Sequence, residues 1–188
     1  MVLPIVNYGH PVLRRKGIPI ASVTPTIKKL IDDMIETMEA NHGVGLAAQQ
    51  IGQALQLTVV DVREALDRPS WAEQEGKRID LDSLMPLTLI NPKLTLSGEN
   101  EVGPEGCLSF PEIFADISRP AIVDVEALDA EGRPTAFRCG GLLARAIQHE
   151  VDHLNGILFI DRMSSSTKLE LQPDLDALQA ETRSELQR

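Results

Sequence analysis

The chain has 188 residues, 43% hydrophobic and 24% charged, with a formal charge of −10 at pH 7. That suits one domain with a sizeable core. No apolar run approaches a membrane span, and residues 1–6 lack the basic lead and long apolar stretch of a signal peptide. The negative charge argues against nonspecific nucleic-acid binding, which needs cations to displace counterions. Two cysteines, Cys107 and Cys139, are too few for a disulfide scaffold and point to a reducing, cytoplasmic setting.

In chain order, residues 1–20 are punctuated by Pro4, Gly9, Pro11, Gly17 and Pro19 and read as an irregular arm laid on the core. A helix follows. Thr24 is placed to cap it, Pro25 suits its first position, and Ile27, Leu30, Ile31, Met34, Ile35 and Met38 recur at helical spacing until Asn41-His42-Gly43. The stretch from Gly43 to Gly52 mixes glycines, alanines and two glutamines. Gly43 and Gly45 allow close backbone approach to a ligand, and Gln50 offers an amide donor that does not titrate. No lysine follows as a phosphate-binding loop would need, and by itself the stretch reads equally well as a structural loop.

Leu57-Thr58-Val59-Val60 predicts a buried strand. Residues 63–82 crowd charges around the single tryptophan, Trp71, and predict an exposed insertion loop with little regular structure, anchored by that side chain. Residues 87–90 and 93–96 read as two strand pieces broken at Asn91-Pro92. Cys107 stands between Gly106 and Leu108, where a turn meets a strand. Residues 122–128 and 135–139, joined through Asp129-Ala130-Glu131-Gly132, predict a hairpin. Gly140-Gly141 opens a second helix that runs to about Leu154 and stops at Asn155-Gly156. Residues 157–160 read as a short buried strand or extended segment, and 164–188 as a polar, acidic tail, a weak helix or disordered.

The second helix carries Gln148-His149-Glu150-Val151-Asp152-His153, the pattern H-E-x-x-H. Residues four apart share a helix face, so His149 and His153 can offer two imidazoles to one metal ion. Glu150 lies one step round the helix and can reach water without being a ligand. Catalytic sites of this kind take a third protein ligand. Cys107 and Cys139 compete for that place, with the flanking glycine favouring Cys107; spacing leaves the choice open. A metallopeptidase would take its third ligand downstream, where no histidine follows and Asp161 is the nearest acidic residue.

Three segments in order, Gly43-Val44-Gly45-Leu46-Ala47-Ala48-Gln49-Gln50, Glu105-Gly106-Cys107-Leu108-Ser109 and the H-E-x-x-H run, resemble the signature motifs of peptide deformylase. The resemblance covers residues 1–163 as a catalytic domain. It implies an α+β fold, with antiparallel strands packed around a central metal-binding H-E-x-x-H helix. It implies a hydrolase that removes the formyl group from N-formylmethionine of nascent polypeptides and releases formate. Cys107, His149 and His153 would hold one ferrous ion, replaceable by nickel, cobalt or zinc. Glu150 would act as the acid–base, with the Gln50 amide and the Leu108 N–H as oxyanion donors. Val44, Leu142 and Ala146 would line the methionine pocket, and Gly43, Gly45 and Gly103 would flank the peptide backbone. Arg145 would border the pocket through its stem or stay solvated.

Two departures from the family stand out. Some relatives carry an acidic residue before the first motif that pairs with an arginine; here Asn41 and His42 stand there while Arg119 is kept, which puts that ion pair in doubt. Some relatives also dock on the ribosome through a basic C-terminal helix. The acidic tail of this chain predicts at most transient contact.

Overall fold

The computed structural model describes residues 1–188. Helix α1 spans Pro25–Ala40, with the Thr24 hydroxyl accepting from the Ile27 N–H and Leu30, Ile31, Met34 and Met38 buried. The cap and the apolar spacing are those the sequence predicts. His42, in the left-handed region at φ 54°, turns the chain away.

Seven strands follow: β1 (Gly45–Ala47), β2 (Leu57–Val60), β3 (Ser70–Gln74), β4 (Lys77–Ile79), β5 (Leu87–Cys107), β6 (Phe110–Leu128) and β7 (Pro134–Gly141). They form one sheet in the order β1-β2-β5-β6-β7-β3-β4, with every neighbouring pair antiparallel. Helix α2 (Leu142–Leu154) leaves β7 directly and packs against β1, β2, β6 and β7. The fold is therefore α+β, with α2 at its centre. Leu143 and Ile147 on α2 are buried with Val60, Leu89, Val123 and Cys139 of the sheet, and α1 covers the β1–β2 end through Met34, Met38, Leu46 and Val59.

Three segments differ from the sequence-based expectation, and a fourth takes one of the two forms expected. Residues 63–82 are not an irregular loop. Strands β3 and β4 pair as a hairpin across Glu75 and Gly76, both at positive φ (49° and 74°), the combination a two-residue turn matching strand twist requires. β3 also extends the sheet by pairing with β7, with Ala72 opposite Cys139. The charges lie on the outer side, and alternation is short enough to be hidden by them. Trp71 does anchor the segment. It covers Gly140, where a Cβ would come within 2.3 Å of the indole nitrogen, and the Arg78 guanidinium stacks on it at 3.9 Å.

Residues 87–90 and 93–96 belong to one strand rather than two. A β-bulge between Ile90 and Lys93 absorbs Pro92, which has no N–H to donate. Asn91 there exchanges two hydrogen bonds with the Ile20 backbone, at 2.9 and 2.8 Å. Residues 159–161 form a 3-10 turn, not a strand. It buries Phe159 and Ile160 in one cluster with Phe110 and Leu13, as local burial without any strand partner allows.

The segment expected to be a weak helix or disordered tail is a 22-residue helix, α3 (Ser165–Leu186), capped by Ser164. Its composition hides it because only Leu175 and Thr182 are buried. Leu175 joins Val12, Leu13 and Phe110, and Gly9 approaches so closely that a Cβ would lie 2.8 Å from the Gln179 carbonyl oxygen. Contact with the N-terminal arm, distant in sequence, stabilises a helix that propensity alone leaves marginal.

Candidate active site

The H-E-x-x-H turn lies in the second half of α2, and His149, Glu150 and His153 are all buried. The four-residue spacing sets the two imidazole rings 5.1 Å apart. Cys107, the last residue of β5, enters at a register irregularity between Gly106 and Cys107, and its Sγ lies 3.3 Å from His153 Nε2. One potential ligand atom from each of Cys107, His149 and His153 falls within 4.8 Å of the others. One thiol and two imidazoles converging at this range are a donor set for one divalent metal.

The ring of His149 is fixed from behind. Its Nδ1 is 2.9 Å from Glu105 Oε1, which leaves Nε2 for the cluster, the arrangement typical of ligating histidines. Glu105 is itself clamped by Arg119 through Nε (2.6 Å) and Nη2 (2.8 Å), and by Arg145 Nη1 (2.9 Å). Arg119 Nη1 continues to Asp152 at 2.9 Å. Burial alone would raise the Glu105 pKa, but Arg119 and then His149 hold it down to about 2. Burial holds His153 well below the usual imidazole range. For His149 burial acts the same way, yet Cys107 and Glu105 outweigh it and raise the ring.

Gln50 sits in a 3-10 turn, Ala48–Ile51. Its Oε1 accepts from the Ala47 N–H at 2.9 Å, so Nε2 must point the other way, toward Ser109 Oγ (3.2 Å) and Cys107 Sγ (3.5 Å). Glu150 lies against Gly45, where a Cβ would come within 2.5 Å of Oε1; only glycine fits. Its Oε2 has no hydrogen-bond partner, and burial pushes the carboxyl up to about 7.

Gln50, Glu105, Cys107, His149 and Glu150 line a cavity of about 510 Å³, whose walls include Gly43, Val44, Gly45, Leu108, Leu142 and Ala146. Titratable and amide groups share this cavity with apolar side chains, the mixed lining expected of a small-ligand site.

Comparison with known proteins identifies the family. A family model described as polypeptide deformylase matches residues 2–169. The chain belongs to that family. It is 47% identical to the peptide deformylase of Opitutus terrae over 97% of this chain and 96% of the relative, and 43% identical to that of Rhizobium meliloti over 87% and 86%. Among solved structures, a Synechococcus elongatus peptide deformylase in complex with actinonin is 39% identical, with a TM-score of 0.78 over 94% of this chain and 85% of that one. Arabidopsis thaliana peptide deformylase 1B, in complex with an inhibitor, reaches a TM-score of 0.83 at 33% identity over 97% and 93%.

Within this deformylase scaffold, the residues singled out in the sequence line one cavity, except His153, which stands behind it beside Cys107, and Gly103. Gly103 does not line it; it lies in an adjoining depression of about 330 Å³, beneath the Arg145 guanidinium. The Arg145 guanidinium, 3.3 Å from where a Gly103 Cβ would stand, lies between it and the main cavity that Pro104 already lines. The competition between the cysteines ends with Cys139 in the sheet core, fully buried, its thiol pushed up to about 12 by burial. Thiol reagents are therefore expected to leave Cys139 unmodified in the native protein at pH 8 and to label it after denaturation, as peptide mass spectrometry would read.

The ion pair put in doubt is indeed absent: Arg119 meets neither Asn41 nor His42. It needs no acidic residue at 41 or 42, because Glu105 takes two of its donors and Asp152 a third. Arg145 is not solvated either. Its guanidinium is spent on Glu105 and on the Ile117 and Glu101 carbonyls. The residue that sequence reasoning missed is Glu105. A signal existed: residues two apart in a strand share a face, so Glu105 points where Cys107 points.

Proposed function

We infer that this chain hydrolyses the N-terminal formyl group of formylmethionyl polypeptides, releasing formate, with Cys107, His149 and His153 holding a single divalent metal ion. The observation that carries the reading is the convergence of those three donors beside Glu150, in a chain matched over residues 2–169 by the deformylase family. Ferrous iron is the proposed ion, with nickel, cobalt or zinc able to replace it; the mixed sulfur and nitrogen set suits all four. Such an ion supplies Lewis acidity and lowers the pKa of water.

The chain's own groups do the rest. The Glu150 carboxylate accepts a proton from the attacking water and delivers it to the departing amine, so that one water and one formamide become formate and a free amino terminus. As oxygen adds to the formyl carbon, the carbonyl oxygen gains negative charge. The Gln50 amide and the Leu108 backbone N–H donate to it. The Ala47 N–H holds the Gln50 amide in the donating orientation before substrate arrives. Replacing Gln50 by Leu is expected to lower kcat about 10²–10³-fold, the usual loss for one such donor, measured by formate release with metal content checked. Val44, Leu142 and Ala146 take the methionine side chain, and Gly43 and Gly45 leave room for the peptide backbone. Formate release from formyl-Met-Ala-Ser by iron-loaded protein tests the reading, and none above the metal-only control would refute it.

The catalytic groups all lie within residues 1–163, the proposed catalytic domain. No helix is long and apolar enough to cross a membrane, and action on nascent chains places the work in the cytoplasm. Residues 164–188 set Lys168, Arg183 and Arg188 against Glu170, Asp174, Asp176, Glu181 and Glu185. Such a helix is a poor ligand for RNA phosphates. Deleting it is expected to leave ribosome co-sedimentation at physiological salt unchanged.

A further inference from the structure

The hairpin that departs most from expectation ends against the active site. Gly141 gives α2 no side-chain cap. Instead the Leu142 N–H donates to the Pro69 carbonyl at 3.1 Å and the Leu143 N–H to Ser70 Oγ at 2.9 Å. Gly141, at φ 69°, is pressed so tightly that a Cβ would lie 2.1 Å from the Pro69 oxygen. Residues 69–70 thus cap the helix that carries His149, Glu150 and His153, and they fix the residue before them, Arg68.

Arg68 is half-buried and lines both the main cavity and the adjoining depression, beside Leu142, Arg145 and Pro104. It makes no ion pair or side-chain hydrogen bond, whereas Arg145 next to it donates to Glu105 and two carbonyls. The carboxylates of the cavity do not neutralise it. Glu105 is held by two arginines and His149, Glu150 is buried against Gly45, and exposed Glu112 forms no pair with Arg68. In a chain of net charge −10, this is an unpaired cation at the rim of a substrate cavity. The positive end of the α2 dipole lies beside it and adds to the local field.

We propose that Arg68 is a specificity residue, reading an acidic side chain at the second or third residue of the formylated peptide. The proposal rests on the deformylase reading. With methionine seated between Val44, Leu142 and Ala146, the following residues leave across the rim. There a guanidinium presents a planar fork that matches a carboxylate in two parallel hydrogen bonds. The pair is partly exposed, so the gain is modest, roughly two- to fivefold in kcat/KM, and it is screened by salt.

The test compares formate release from C-terminally amidated formyl-Met-X-Y peptides carrying Asp or Glu against Asn or Gln at X or Y. Amidation removes the chain carboxylate as a rival source of charge. The expected result is a roughly two- to fivefold preference for the acidic peptides, carried by KM and shrinking with added salt. In R68E the ratio inverts, in R68Q it falls to near one, and R68K keeps part of it. An acidic-to-neutral ratio in R68Q or R68E equal to that of the wild type, or no acidic preference in the wild type, overturns the proposal. No formate from any peptide would instead overturn the deformylase reading.

Discussion

Metal-loaded Glu150→Ala is expected to lose about 10²–10⁴-fold in kcat on formyl-Met-Ala-Ser, the range for removal of a positioned acid–base, while keeping its metal. The geometry separates the two effects. Glu150 lies on the helix between the two histidines but turns toward Gly45, its Oε2 makes no hydrogen bond, and it is the Glu105 carboxylate that accepts from His149. Loss of the carboxyl therefore removes proton transfer without loosening Cys107, His149 or His153. The measurement pairs single-turnover formate release with metal analysis of the same sample. A variant that keeps both its metal and wild-type kcat would strip Glu150 of the role. A variant that loses metal in proportion to activity would make Glu150 a ligand or a support for one.

Glu105→Ala is expected to be the most destabilising single change near the site, by about 3–5 kcal/mol. The carboxylate receives three hydrogen bonds from Arg119 and Arg145, both buried. Removing it leaves two guanidinium groups facing each other across a buried gap with one partner gone. The same change frees His149 Nδ1, and loss of such a support typically weakens metal binding 10–100-fold. Denaturant unfolding of the metal-free protein reads the first effect and competitive metal titration the second. The pH dependence has a definite sign. Glu105 in the folded chain sits at about 2 against an ordinary 4.5. Its contribution is full above about pH 4.5 and is lost as pH falls toward 2, an order of 3 kcal/mol in all. The metal-free Glu105→Gln variant should lack that part of the acid transition.

How far the site was legible differs residue by residue. His149 and His153 were visible because a helix repeats every 3.6 residues, so a four-residue interval fixes their relation without knowledge of anything else. Gln50 and Cys107 were visible only as members of motifs. Nothing in their neighbours says that a 3-10 turn and the end of a 21-residue strand will bring an amide within 3.5 Å of a sulfur. Glu105 was overlooked because an acidic residue in a strand reads as solvent-facing. Its burial depends on Arg119, fourteen residues on, and Arg145, forty residues on. The β3–β4 hairpin was missed for a related reason: its strands are short and charged, and the strand that β3 pairs with, β7, lies some seventy residues downstream.

By itself the sequence determined the ends of α1, the amphipathic face of α2, strands β2 and β7 with parts of β5 and β6, and the chemical types of the candidate metal donors, because these follow from local backbone preference and from side chains a few residues apart. Only the tertiary structure decided that Cys107 rather than Cys139 meets the histidines, that Arg119 finds Glu105 and Asp152, that Ser70 caps α2 in place of Gly141, and that α3 stands as a helix against Gly9. Each of those contacts joins segments far apart in the chain. Their ion pairs, hydrogen bonds and close packing pair groups that no local pattern can match, and they form once the sheet has closed around α2.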